Sequence, residues 1–407
     1  MGYSMGKNVN TILCISSYEK GQEFMREAKR QNWRVLLLTA EKLKEANWPR
    51  ESIDEFFFMP DTDEDWKLQD VIHGVSYIAR TEQIDKIVAL DDYDVEKAAS
   101  LREHLRVPGM GDTTARYFRD KLAMRARAKE VGVLIPDFVH VLNYDRIKEF
   151  IAEYDFPFIL KPRLHAGAIG IKKLHNEDEL WNSLEALGDD QSYYLIEQFI
   201  PGDIFHVDTI MYNHELQFAI AHEYGKPPFE VAHEGRVFTS KTMLRGSQDE
   251  QTLRIMNASV MSGMGLKQGI SHTEFIKSDA DGSFYFLETS ARVGGANIAE
   301  LIEASTGINL WAEWAKIETL PKDGKYNLPE ENSDYAGIIL SLAKQQWPDM
   351  NSYNDEEIVW RLKKEYHAGV IVKSDKKERV SELIDSFTER FYNDFFISQP
   401  MRDKPTN

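Results

Sequence analysis

The sequence ISHTEFIKSDADGSFYFLETSAR, residues 270–292, carries the strongest indication of how this chain folds. Two strand-like runs flank a polar Asp-Ala-Asp-Gly segment, and an Asp-Gly pair in that setting is typical of a β-hairpin. A turn centred on this segment predicts that Glu274 lies opposite Glu288. The same register places Ile276 opposite Phe286. Both glutamates would then share one face of the hairpin.

Two carboxylates that face each other in this way need a positive charge between them. Opposed side chains on neighbouring strands lie about 5 Å apart at Cβ, and like charges there are destabilising. A divalent cation removes the repulsion, and a set of oxygen ligands suits Mg²⁺ or Mn²⁺. The alternative is a slipped register that leaves two exposed glutamates.

Arg292 comes just after the second strand of the hairpin and is followed by Val293, Gly294 and Gly295. A guanidinium group at the mouth of a carboxylate-metal site suits a phosphoryl or carboxylate oxygen. The two glycines would let a ligand approach the backbone. A surface ion pair between Arg292 and Glu288 is the alternative.

A second motif is PFILKPR, residues 157–163, in which Lys161 ends an apolar strand. The loop after it contains Gly167 and Gly170, whose backbone N–H groups could approach phosphate oxygens while Lys161 neutralises their charge. The alternative is a lysine whose stem lies along the strand and whose ammonium group reaches water. The pattern G-x-x-x-x-G-K-[ST] is absent from the sequence, so this is not a P-loop.

A third motif is YYLIEQFIPGDIFHVDTIM, residues 193–211, an apolar strand interrupted by Glu197 and Gln198. An acidic group beside exposed strand backbone can pair with the edge of adenine. Three polar side chains after the turn could hold ribose hydroxyls: Asp203, His206 and Asp208. Polar residues with a purely structural role at a strand end remain the alternative.

The first part of the chain predicts a small doubly wound parallel sheet. Thr11–Ser16, Arg34–Thr39 and Lys86–Leu90 read as buried strands separated by helical patterns. A dinucleotide-binding G-x-G-x-x-G would follow the first strand, yet only Gly21 is present there. We therefore expect no nicotinamide or flavin site.

Composition narrows the class of protein further. The chain has 407 residues, enough for two to four units, and a formal net charge of −18, the wrong sign for wrapping nucleic acid. The single Cys14 excludes disulfides within the chain and favours a reducing compartment. No run approaches the ~20 apolar residues of a membrane span, and residues 1–10 are too polar for a signal peptide. We expect a soluble, cytoplasmic protein.

An ordered series of motifs resembles the ATP-grasp superfamily of carboxylate-amine ligases. The series is RDKLAMR, VGVLIPDF, ILKPR, EQFIPG, HTEF and LETSARVGG. It spans residues 112–317, and residues 20–108 resemble the small α/β domain that usually precedes it. Around PPFE and ARVGGANIAELIEASTGINL the chain is most similar to the L-amino-acid ligases, which join two amino acids.

The resemblance implies an α/β chain with α+β lobes, in which an ATP-grasp fold is preceded by a small Rossmann-like parallel-sheet domain. It divides the chain into an N-terminal Rossmann-like domain (1–115), a small lobe (116–190), a large lobe with the metal site (191–325) and a C-terminal α/β segment (326–407).

The resemblance also implies roles for the charged residues. Lys121 and Lys161 would grip the phosphates of ATP, and the loop 164–170 would close over them. Arg292 would steady the transferred phosphate and the acyl phosphate, so Arg292 and Lys161 are the expected catalytic residues. Residues of the EQFI strand and the turn after it would bind the nucleoside: Glu197, Gln198, Phe199, Ile200, Asp203 and His206.

Magnesium would be held by Glu274 and Glu288, bridging the phosphates. Many members of the family have Glu-x-Asn where this chain has Glu288-Thr289-Ser290. A hydroxyl on the same strand face then replaces an amide oxygen. Because Ser290 can still ligate directly or through water, we expect two ions. Residues expected to bind the substrates are Glu234, Arg236, Arg245, Gly294 and Gly295.

These features predict an ADP-forming ligase that activates a small carboxylate as an acyl phosphate and joins it to an amine. We expect the carboxylate to be that of an amino acid. Two alternatives stay open: acyl-phosphate chemistry on bicarbonate or formate, and a nucleotide-binding regulatory protein without turnover. The partners would be small molecules, with a homodimer possible and no nucleic acid or membrane.

Overall fold

A computed structural model describes residues 9–61, 65–165, 169–226 and 237–397 of the chain. Within these ranges the strands form three sheets, of four, eight and four strands. We call them the N-terminal sheet, the large sheet and the small sheet. Across the same ranges, none of the helices combines the length and the apolar character that crossing a bilayer requires.

The N-terminal sheet is parallel and has the strand order β3-β2-β1-β4. Its strands are β1 (Thr11–Ser16), β2 (Arg34–Ala40), β3 (Glu55–Met59) and β4 (Lys86–Ala89). Its helices are α1 (Gln22–Arg30), α2 (Leu68–Ile78), α3 (Val95–Leu105) and α4 (Asp112–Arg116). Every residue of β1 is buried, as expected for a parallel strand that helices cover on both faces. The predicted parallel sheet is confirmed, with β3 as a further strand.

The small sheet is antiparallel in all its pairs and has the order β5-β8-β6-β7. Its strands are β5 (Phe138–His140), β6 (Phe158–Pro162), β7 (Lys172–Leu174) and β8 (Tyr194–Gln198). The helices in this part of the chain are α5 (Lys121–Glu130), α6 (Tyr144–Glu153) and α7 (Glu177–Leu187). Strand β8 pairs with β5 and β6, so it belongs to the small sheet although the sequence-based boundary at 190 assigns it to the large lobe.

The large sheet runs β13-β12-β9-β10-β11-β14-β16-β15. Its strands are β9 (Gly202–Tyr212), β10 (Glu215–Tyr224), β11 (Phe238–Thr242), β12 (Gly269–Ser278), β13 (Phe284–Ser290), β14 (Tyr335–Leu342), β15 (Ile358–Arg361) and β16 (His367–Ser374). The helices of this part are α8 (Gln248–Met264), α9 (Ile298–Thr306), α10 (Leu310–Thr319) and α11 (Lys377–Asp394). Because β14 pairs with β11, the C-terminal strands extend this sheet.

The β12–β13 hairpin confirms the pairing of Glu274 with Glu288. The predicted pairing of Ile276 with Phe286 is wrong. A register irregularity between Glu274 and Phe275 pairs Phe275 with Phe286 and moves Ile276 opposite Tyr285. Such a bulge leaves an extra residue on one strand, so the register beyond it shifts by one. The two glutamates lie on the side of the irregularity where the expected register holds.

The N-terminal sheet packs against the large sheet through a shared apolar core, in which Ile12 and Phe24 join Ile210 and Trp314. The rings of Phe24 and Trp314 meet edge to face at 5.2 Å between centroids. Trp33 donates its indole N–H to the Thr319 carbonyl at 3.2 Å. These contacts join the N-terminal sheet to the large sheet, and Asp92 in the loop after β4 meets Ser290 at the end of β13.

Gly202, at the start of β9, packs closely against the backbone of β12. A Cβ atom at this position would lie 1.9 Å from the carbonyl oxygen of Lys277 on β12. We expect Gly202→Ala to lower the free energy of unfolding by about 1–3 kcal/mol, because one strand must move to relieve the clash. Urea denaturation measures the change. Gly295→Ala is the control, since its added Cβ meets no described atom within 4 Å. Equal stability of both variants would contradict the close contact.

Candidate functional site

The end of the hairpin meets the first turn of α5. Asp120 caps this helix by accepting hydrogen bonds from the amides of Leu122 and Ala123, which places Lys121 at its first position. The Lys121 ammonium lies 3.0 Å from a carboxylate oxygen of Glu288 and donates to the carbonyl of His165 at 2.6 Å. Lys121 therefore connects the hairpin to the loop that follows β6.

Glu288 is ionised in this setting. Partial burial raises the pKa of its carboxyl group, but the ammonium groups of Lys121 and Lys161 outweigh that effect and hold the pKa below its ordinary value. Lys121 and Lys161 are 6% and 5% exposed, whereas the side chain of Glu288 is 34% exposed. The structure thus brings together both predicted lysines and one of the three predicted metal ligands, with the carboxylate partly exposed to solvent.

Lys161 belongs to a buried group of three charges. Its ammonium pairs with one carboxylate oxygen of Glu197, and Arg125 Nε donates to the other at 2.9 Å. Burial lowers the pKa of Lys161 to about 8, although the adjacent Glu197 works in the opposite direction. Because Glu197 is 4% exposed and serves these two cations, its carboxylate is not free to pair with a nucleoside base, which corrects the expectation for this residue.

Arg125 is the residue of this group that the sequence reasoning missed. It is fully buried on α5, and Arg125 Nη1 also donates to the Leu287 carbonyl on β13. It therefore ties the small sheet to the hairpin. Arg125 lies four positions after Lys121, so both side chains are on one face of α5. This spacing is the feature of the sequence that could have identified Arg125 as part of the site.

The segment after β8 stays a prediction for base binding. Gln198, Phe199 and Ile200 are half-buried. The amide of Gln198 donates to the Asp137 carbonyl at 2.9 Å, and the Lys173 ammonium lies 3.5 Å from the centre of the Phe199 ring.

Arg292 meets a carboxylate that the sequence reasoning also missed. Asp92 follows β4 in the N-terminal sheet, and one of its oxygens accepts from Arg292 Nε at 2.8 Å and from Arg292 Nη2. The Ser290 hydroxyl donates to the other oxygen at 2.7 Å. Burial raises the pKa of Asp92, but Arg292 and Arg119 hold it well below its usual range. Ligands of parallel sheets bind at the carboxyl ends of strands, so the acidic run after β4 was a usable signal.

The face that carries Glu274 continues inward as a buried group of His206, Asp208 and His272, the histidine cluster. Asp208 accepts from His206 Nδ1 at 2.7 Å and from His272 Nδ1 at 2.9 Å. Burial alone would lower the pKa of His272, but Asp208 and Glu274 raise it to about 9. The Tyr224 hydroxyl donates to Glu274 at 3.0 Å and so joins the cluster to the hairpin.

The ribose role predicted for His206 is wrong. Its second ring nitrogen lies 2.8 Å from the Ser240 hydroxyl, so both nitrogens have protein partners, and the side chain is fully buried. Asp208 is likewise buried between two imidazoles, which removes it from the same role. Alternation along β9 and its pairing with β12 put His206 beside Glu274. Asp203 is exposed where β9 begins and stays a prediction.

The residues expected to bind substrate have different outcomes in the structure. Glu234 and Arg236 lie outside the described residues. Arg245 donates to the Asp334 carbonyl at 3.0 Å, which ties it to the strand-forming C-terminal segment. A Cβ atom at Gly294 would lie 2.9 Å from His272 Nδ1, so the backbone packs directly on the histidine cluster. Gly295 has open space at the corresponding position among the described residues.

Parts of the chain are similar to known proteins. Residues 154–300 match the family model of the ATP-grasp domain. An L-arginine-specific L-amino acid ligase of Bacillus subtilis is 26% identical over 242 residues, 58% of this chain and 57% of that protein. D-alanine–D-alanine ligase B of Pseudomonas syringae pv. tomato is 27% identical over 225 residues, 50% of this chain and 69% of that protein. The chain thus spans a little over half the length of the first relative.

Solved structures share the architecture of the whole chain. An L-amino acid ligase from Bacillus licheniformis superimposes with a TM-score of 0.77 at 17% identity, covering 97% of this chain and 100% of that one. Phosphoribosylglycinamide synthetase from Anaerococcus prevotii gives a TM-score of 0.68 at 17% identity, covering 96% and 100%. At this identity the likeness concerns the fold, and it confirms the predicted fold class.

The pKa of Lys161 tests the contact between Lys161 and Glu197 in the buried group of three charges. With the Lys161 pKa near 8, its ammonium is charged below that pH and becomes neutral above it. Glu197→Gln removes the neighbouring carboxylate that favours the charged form while the burial remains, so we expect the lysine pKa to fall further. NMR titration of the labelled lysine side chain measures the shift. Glu303→Gln, at an exposed site on α9, is the control. A pKa that rises in Glu197→Gln would contradict the assignment.

Proposed function

We propose that this chain, in which residues 154–300 form an ATP-grasp domain, is an ATP- and Mg²⁺-dependent, ADP-forming ligase. It would join a small carboxylate, an amino acid, to an amine through an amide bond. The observation that carries the proposal is the meeting of Lys121 with Glu288 at 3.0 Å, beside Lys161 and in the same site as Arg292. Cations from two elements of the chain thereby converge on a carboxylate that is poised for a metal.

Lys121 and Lys161 would bind the phosphates of ATP. Both ammonium groups are almost fully buried, and fixed charges in a site with little water act more strongly than the same charges in solution. Lys161 needs a protonated side chain for this role. With its pKa near 8, the free protein would bind the nucleotide less tightly as the pH rises through that value.

Magnesium fits the donor set at the end of the hairpin. Glu274 and Glu288 are opposed carboxylates, and Ser290 adds a hydroxyl whose hydrogen is given to Asp92, leaving its lone pairs available. When bound there, Mg²⁺ would neutralise charge on the triphosphate. Two ions remain part of the proposal, and Mn²⁺ would serve in the same way.

Arg292 would receive the phosphoryl group as it moves. An oxygen of the substrate carboxylate forms a bond to the γ-phosphorus, the bond to the β–γ bridging oxygen breaks, and ADP leaves. The amine then attacks the acyl carbon, inorganic phosphate departs, and the amine gives up a proton to water. The guanidinium of Arg292 is 13% exposed, so it is held at the site and still faces the opening.

An amino acid as the carboxylate is supported by the names of the relatives. One is an L-arginine-specific L-amino acid ligase and others are D-alanine–D-alanine ligases. The expected partners are accordingly small molecules.

The test is release of ADP and phosphate from ATP and Mg²⁺ in the presence of single amino acids and of pairs, with the ligated product identified by mass spectrometry. Release should rise only with cognate pairs, and one ADP should form for each amide bond. Silence across carboxylates and amines would overturn the proposal. Incorporation of labelled bicarbonate or formate would replace it with the carboxylase alternative.

Removing one metal ligand should affect turnover above all. We expect Glu288→Gln to lower kcat roughly 10²-fold, because an amide cannot supply the negative oxygen that the metal and Lys121 require. Lys161→Ala should instead weaken nucleotide binding. Steady-state kinetics over a range of Mg²⁺ concentrations measures the first effect and calorimetry measures the second. If both variants matched the parent protein, the site assignment would be wrong.

A further inference from the structure

The loop after β4 carries three buried carboxylates: Asp91, Asp92 and Asp94, which are 2%, 3% and 0% exposed. Two of them are used within the N-terminal part of the chain. Asp91 pairs with Lys20, and Asp94 accepts from the amide and hydroxyl of Ser17 at 2.7 and 2.9 Å. Asp92 differs from both, because its partners lie on a segment that begins at the end of β13.

Asp92 uses both of its oxygens on that segment. One oxygen takes Nε and Nη2 of Arg292, and the other takes the hydroxyl of Ser290. The remaining terminal nitrogen of Arg292, Nη1, donates to the Val293 carbonyl at 2.9 Å. A guanidinium group gripped through all three nitrogens has one orientation, since its planar fork cannot turn without breaking these bonds.

The same loop also reaches the other side of the site. Arg119 lies 5.2 Å above the ring of Tyr93 and donates to the Leu164 carbonyl at 2.7 Å. Leu164 lies two residues after β6, the strand that carries Lys161. The N-terminal part of the chain therefore reaches the site at two points, directly through Asp92 on the hairpin side and indirectly through the contact of Tyr93 with Arg119 on the loop side.

Burying a carboxylate is costly, so both Asp94 and Asp92 need partners; Asp94 takes them from Ser17, within the N-terminal part of the chain. Asp92 instead neutralises much of the charge of the one arginine that the proposed reaction uses. An isolated guanidinium would bind the nucleotide in its ground state. A guanidinium that is already paired is held in place and gains less from the ground-state phosphate.

We propose that Asp92 is a positioning residue of the ligase site: it holds Arg292 and Ser290 at the end of β13 in the orientation that receives the transferred phosphate. The inference rests on the proposed function. It makes the N-terminal part of the chain a contributor to the reaction centre.

The test compares Asp92→Asn with Asp94→Asn, which removes a charge from the same loop at the same burial but contacts Ser17 instead of the hairpin. We expect Asp92→Asn to lower kcat about 10- to 10²-fold, the order of loss that follows a misplaced group. The affinity for a non-hydrolysable ATP analogue with Mg²⁺, measured by calorimetry, should rise roughly threefold to tenfold as Arg292 loses its carboxylate partner. Asp94→Asn should lower thermal stability and leave both quantities near those of the parent.

The binding measurement needs no turnover, so the two proposals fail separately. If the parent protein binds the analogue but releases no ADP in the presence of any amino acid, the ligase proposal is overturned. Unchanged or weaker analogue binding by Asp92→Asn overturns the role of Asp92, because a merely structural residue would weaken binding and turnover together. A kcat for Asp92→Asn equal to that of Asp94→Asn overturns it as well.

Discussion

The arrangement of the site depends on one requirement, that charges taken out of water be compensated. Lys121, Lys161 and Arg125 are almost fully buried, and each has a carboxylate or carbonyl oxygen within hydrogen-bonding distance. Unpaired, any of them would cost several kcal/mol or lose its charge. Because the cations lie on α5 and the small sheet and their partners on the small sheet, the loop after β6 and the hairpin, satisfying the charges also fixes where these elements lie. The need to compensate the buried charges therefore also determines how these elements pack together.

Much of the fold follows from local sequence. Strand β1 has the bounds that its apolar run predicts, and the Asp-Gly turn predicts the hairpin and the opposed glutamates. The bulge after Glu274 could not be predicted, because alternation of apolar residues does not reveal an extra residue in one strand. What local pattern cannot give is which distant elements meet.

The site shows the same division. Lys121, Lys161 and Glu288 stand in recognisable motifs, and the structure brings them together. Asp92 and Arg292 are 200 positions apart, and the sequence around each gives no sign that the two side chains make contact. The prediction for His206 failed for a related reason. Its role depends on the pairing of β9 with β12, which puts it next to Glu274. The sequence of β9 alone does not predict which strand it pairs with. Residue types that suit a ligand also suit one another, and burial decides between the two uses.

The large sheet has a consequence for biosynthesis. Strand β14, which is synthesised well after β11, pairs with the edge of β11, and β16 pairs with β14 in turn. Until Leu342 has been translated, β11 presents unpaired N–H and C=O groups, the kind of edge on which nascent chains aggregate. The N-terminal sheet, by contrast, is built from contiguous sequence and can form early. Folding of this protein therefore has a vulnerable interval, during which a chaperone that shields strand edges would matter most.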